Sequence, residues 1–89
     1  MQNTPLRFIP VGYGYGVNAM QIAAVLLPDT APSKRIQADA RKTDRYVDMT
    51  CGHAVKCLLL MLDSQVIGCA VKSRTMIARL NSYNTNTDE

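Results

Sequence analysis

The most hydrophobic run of the chain, AVKCLLLML at residues 54–62, is followed by Asp63-Ser64 and then by QVIGCAV. Two apolar runs separated by a short polar turn predict a β-hairpin, with the first run as the central strand of a sheet. The other segments must extend that sheet or cover it. With 89 residues the chain suffices for one domain and is too short for two. A domain of this size buries only somewhat more than about 60% of the surface its unfolded form exposes. Its own core is therefore modest, and association with further copies would add to it. At 47% hydrophobic and 19% charged residues the composition is globular, not that of a disordered chain.

Residues 6–11 (LRFIPV) read as a short strand that lies at an edge or ends at Pro10, which has no backbone donor. The loop GYGYG, Gly12 to Gly16, follows. The next stretch, VNAMQIAAVLL at 17–27, has helix-favouring residues in a nearly continuous apolar block, so helix and doubly buried strand both fit it. Pro28 stops it. A helix is predicted from about Pro32 to Thr43, with Thr30 or Ala31 near its cap and Ile36 and Ala40 on its buried face. RYVDMTC alternates Val47, Met49 and Cys51 with Tyr46, Asp48 and Thr50, the period of a strand with one buried face. Ser73 is placed to cap a last helix, in which Met76, Ile77 and Leu80 face inward and Arg74 and Arg79 outward. The expected order is β-β-α-β-β-β-α: an α+β fold, with two helices and a small, largely antiparallel sheet. Residues 1–80 form the single domain, and 81–89 a polar, disordered tail.

Several kinds of chemistry find little support. GYGYG lacks the spacing of a dinucleotide fingerprint and the Lys-Ser/Thr ending of a P-loop. Its tyrosines could stack on bases, but glycines that permit positive φ, with tyrosines covering the loop, explain it equally simply. Cys51, His53, Cys57 and Cys69 could in principle ligate zinc, yet C-x-H-x₃-C is an uncommon spacing and two of the cysteines lie in apolar runs. They read as reduced thiols, because an odd number of cysteines without a signal peptide argues against a disulfide framework. The acids form no catalytic pair. Neither an enzyme nor a metal or cofactor site is expected. No run of 18 apolar residues is present to span a membrane, and the start MQNTPLRFIP reads as that of a cytoplasmic protein. Ten Lys and Arg against seven Asp and Glu give a net charge of +3, and two of the acids are the terminal Asp88 and Glu89. That basic bias permits a nucleic-acid partner without demanding one.

The order of short motifs resembles that of the RemA-type extracellular matrix regulators of bacteria. The shared features are Gly12-Tyr13-Gly14, PDTAPSKR at 28–35, DAR at 39–41, VDMTCG at 47–52, CAV at 69–71 and TMIARL at 75–80. The resemblance covers about residues 6–80. It implies a small DNA-binding regulator of transcription that assembles into a ring-like oligomer, and it favours strand for residues 17–27. Where the family carries an arginine-rich run after the third strand, this chain has His53-Ala54-Val55-Lys56, and a further family arginine falls on Gln21. Lys34 and Arg35 keep the family's basic helix start. The expected DNA-contacting residues are therefore Lys56, His53, Lys34 and Arg35. Tyr13 and Tyr15 are expected at an oligomer interface, and double-stranded DNA and copies of the chain itself are the expected partners. The alternative is an oligomeric scaffold of the same fold that has lost DNA binding.

Overall fold

A computed structural model of the chain describes residues 7–85. The apolar hairpin sits at its centre. β5 (Cys57–Met61) and β6 (Val66–Cys69) pair antiparallel, with Leu59 opposite Ile67. Asp63 Oδ1 accepts from the Gln65 N–H at 3.1 Å, and Ser64, at φ 74°, donates its N–H to the Met61 carbonyl, so the polar break folds as a tight turn. β3 (Ile22–Leu26) extends the sheet beyond β5, and β4 (Tyr46–Met49) extends it beyond β6, giving the order β3-β5-β6-β4. β4 runs parallel to β6, the other two pairings being antiparallel. The parallel pair follows from α1 (Ala31–Lys42), which leaves one sheet edge after β3 and returns the chain to the other edge before β4. The remaining strands, β1 (Phe8–Gly12) and β2 (Tyr15–Asn18), form a separate antiparallel ribbon. α2 (Ser73–Thr85) closes the fold.

Alternation along β5 serves two cores. Cys57, Leu59 and Met61 meet Ile9, Val11 and Val17 of the ribbon and Met76 of α2. Leu58 packs on the opposite face with Ala40 and Val66, while Ile36, Tyr46 and Val55 border that cluster. The central strand is thus covered on both sides, α1 against one face and the ribbon with α2 against the other. The α+β class and the order of strands and helices match the expectation from sequence, with one strand more before α1. α1 begins one residue earlier than expected, with the Thr30 side chain accepting from the Ser33 N–H.

Five local readings are corrected. Residues 17–27 do not form one strand. A single 3₁₀ turn at Ala19–Gln21, capped by Asn18, separates β2 from β3, because the chain leaves the ribbon there and enters the main sheet. The alternation after Arg45 ends at Met49. Thr50 is buried and Cys51 exposed, since the chain turns at that point. In α2, Met76 is buried but Ile77 is 45% exposed, so the inward face is narrower than expected; Ser73 is the first helical residue and not its cap. α2 also continues through Thr85, so residues 81–85 of the expected tail are helical, while 86–89 lie outside the described residues.

Candidate nucleic-acid interface

The chain from Thr50 to Lys56 links the edge strand β4 to the central strand β5. Its start is set by a short polar network. Asp48 Oδ1 accepts from the Thr50 N–H at 2.9 Å and from the Thr50 hydroxyl at 2.7 Å. These bonds hold the Asp48 carboxyl below the usual carboxylate range. Cys51 and Gly52 then adopt left-handed φ angles of 55° and 84°. Two such residues in succession reverse the chain, and the His53 N–H returns to the Thr50 carbonyl at 3.0 Å. Glycine meets the second requirement at no steric cost. Further on, half-buried Val55 borders the core beneath α1, and the Lys56 N–H donates to the Cys69 carbonyl at 2.8 Å. The backbone at Lys56 is therefore fixed while its ammonium is exposed.

The glycine loop joins this turn. Tyr13, itself at φ 54°, stacks on the His53 imidazole with ring centroids 4.3 Å apart and an interplanar angle of 11°. Gly12 lies against Val71, a Cβ there meeting Val71 Cγ2 at 3.4 Å. His53 Nδ1 lies 3.1 Å from the Thr50 carbonyl. Tyr13 and His53, expected in separate roles, thus form one exposed unit. Nothing local in the sequence signals the pairing, since the two residues come from different strand connections. Tyr15 lines a groove of about 460 Å³ with Phe8, Pro10, Tyr13 and Arg79. The Arg79 guanidinium donates to the Pro10 carbonyl at 2.7 Å and so fastens α2 to the ribbon.

The cations of α1, of the start of β4 and of the turn before β5 differ in what holds them. Arg45 pairs with Asp39 at 2.7 Å and bonds to the Ser64 carbonyl, while Arg41 lies 4.4 Å above the Tyr46 ring. Lys34, Arg35 and Lys56 are exposed, and no acidic side chain among the described residues pairs with them. Topology brings the elements carrying them together. Leu26 at the end of β3 stands opposite Leu58, and α1 begins only five residues after Leu26. The start of α1, the turn before β5 and the Tyr13–His53 stack consequently lie toward one end of the sheet. Gln21 lies toward the other end, where its carbonyl accepts from the Leu62 N–H. The six residues from Lys56 to Leu62 span about 20 Å of extended chain, so Gln21 and Lys56 of one subunit do not meet a common phosphate.

The four candidate zinc ligands do not converge. Cys51 and His53 lie in the exposed turn, and Cys57 and Cys69 face each other in the core. The contact with Cys57, together with burial, pushes the Cys69 thiol up. No helix among the described residues is long and apolar enough to cross a membrane.

Residues 8–80 match the family model described as RemA-like, extracellular matrix regulatory protein A-like. The chain is similar to a protein of Geobacillus kaustophilus (strain HTA426), 36% identical over 84 residues that cover 94% of this chain and 97% of the relative. It is similar to a protein of Desulfatibacillum aliphaticivorans, 33% identical over 79 residues and 89% of each chain. A third relative, from Bacillus cereus (strain B4264), is 32% identical over 84 residues, 94% of this chain and 97% of its own. All three carry the name "Putative regulatory protein".

Proposed function

The chain belongs to the RemA-like family of extracellular matrix regulatory proteins, and from that premise we propose that it is a cytoplasmic regulator that binds double-stranded DNA as a homo-oligomer. The observation that carries this reading is the separation of the cations. Arg45 is held by Asp39 and Arg41, though exposed, lies over the Tyr46 ring, whereas Lys34, Arg35 and Lys56 are exposed without such a contact on elements that meet toward one end of the sheet. Such charges attract phosphate and carry no sequence information of their own. Three cations per subunit give weak binding. Linking several subunits raises the effective concentration of each contact for the next, so the assembly grips DNA that one copy would release. Specificity then comes from the bending or shape of the duplex more than from base edges.

Fluorescence anisotropy with a duplex across a salt series tests the reading. Wild-type protein binds at low salt, with log affinity falling linearly as log salt rises. Lys56→Ala lowers the magnitude of that slope by about 0.9 for each Lys56 that contacts phosphate. Absence of binding at low salt by protein shown to be oligomeric removes the reading, and an unchanged slope removes Lys56 from the contact. A second reading, an oligomeric scaffold without DNA affinity, is favoured by the uncharged Ala54 and Gln21 where the resemblance places arginines. Loss of binding at every salt concentration with the oligomer intact is its signature.

A further inference from the structure

We propose that His53 is a proton-dependent phosphate ligand, so that the grip on DNA tightens as the pH falls through the neutral range. This rests on the DNA-binding reading above and deepens it. The geometry of the imidazole is the ground. Nδ1 lies 3.1 Å from the Thr50 carbonyl, and a carbonyl can only accept, so Nδ1 carries the hydrogen in the neutral ring. The outer nitrogen, Nε2, then presents a bare lone pair, which repels a phosphate oxygen. Protonation places an N–H at Nε2 and makes it a charge-assisted donor. The ring is exposed, yet it is held in place from two directions, by the Thr50 carbonyl and by the stacked face of Tyr13. The titratable and charged groups on the surrounding segments are Tyr13 on the glycine loop, Asp48 at the end of β4, Cys51 in the turn, Lys56 before β5 and Lys72 after β6. The Asp48 carboxylate is already bound by Thr50, while Lys56 completes a pair of cationic contacts on the same loop once His53 is protonated.

His53 is the single histidine of the chain, so its ring proton resonances are unambiguous. The experiment follows the His53 Cε1 proton by NMR from pH 5 to pH 8.5, with and without a duplex, alongside anisotropy at pH 6 and pH 8. The expected result is a titration midpoint about one unit higher with the duplex, and binding tighter at pH 6 than at pH 8 by about sixfold for each subunit engaged. In His53→Gln, which keeps a polar side chain but does not titrate, the pH step disappears. Tyr13→Leu, which removes the stacking partner, shrinks the step. Superimposable titration curves with and without duplex overturn the inference, as does a pH step that survives in His53→Gln; in either case DNA binding itself stands. If the wild-type protein binds no duplex at low salt and pH 6, both the inference and the reading beneath it fall.

Discussion

Gly68 and Tyr46 form a close pair across β6. A Cβ at position 68 would collide with the Tyr46 hydroxyl and meet Cζ at 3.0 Å, so the phenol crosses β6 only because glycine stands there. The phenol is then placed to accept from Gln37 Nε2 at 3.2 Å and to lie beneath the Arg41 guanidinium, which joins α1 to the sheet at a polar seam. Burial raises the Tyr46 hydroxyl above the ordinary tyrosine range. Gly68→Ala is expected to cost about 1–3 kcal/mol, the usual range for overpacking. Chemical denaturation measures it. The cost falls in a Tyr46→Phe background, where the hydroxyl is absent, and a double-mutant cycle with no coupling would contradict the contact.

The turn from β4 into the candidate interface is an element whose order depends on one carboxylate. Asp48 is held below its ordinary range by the Thr50 hydroxyl and then by the Thr50 N–H. A carboxyl depressed in the folded state stabilises at every pH above its unfolded value, near 4, and that contribution is lost as pH falls through the folded value. Stability is therefore expected to decline below about pH 4, with part of the decline owed to this turn. Asp48→Asn should flatten that part of an acid denaturation curve, and an equally steep curve would show the bonds to be energetically neutral. The same turn positions His53 and the approach to Lys56, so its loosening should also weaken DNA binding at neutral pH.

At the scale of the whole molecule, the two cores leave a large apolar remainder outside. Phe8 and Leu27 are each 57% exposed, Leu62 is 63% exposed, and Tyr15, Met20 and Ile77 are exposed as well. Scattered apolar residues are ordinary on a surface, but the ribbon gathers Phe8, Pro10, Tyr13 and Tyr15 around one groove. A homo-oligomer would cover such a surface. Light scattering coupled to gel filtration is expected to give a mass several times 9.8 kDa. Tyr15→Ser is expected to lower that mass, and an unchanged mass would take Tyr15 out of the interface. A monomeric wild-type protein would contradict the assembly altogether.

Sequence alone determined the pieces whose causes are local. The apolar hairpin around Asp63-Ser64, the capped helix after Thr30, the α+β class and the basic residues Lys34, Arg35 and Lys56 all follow from patterns within a dozen residues. The break at Ala19–Gln21 escaped, because an apolar block looks the same whether it enters one sheet or passes between two. The stack of Tyr13 on His53, and the engagement of Arg41 and Arg45, belong to the tertiary structure alone. The stack and the bond from Arg45 to the Ser64 carbonyl require segments distant along the chain to meet, and the contacts of Arg41 with Tyr46 and of Arg45 with Asp39 depend on how the end of α1 folds back onto β4. The contact order that brings them together is set by the β3-α1-β4 crossover and the ribbon, and leaves no periodicity in the residues themselves.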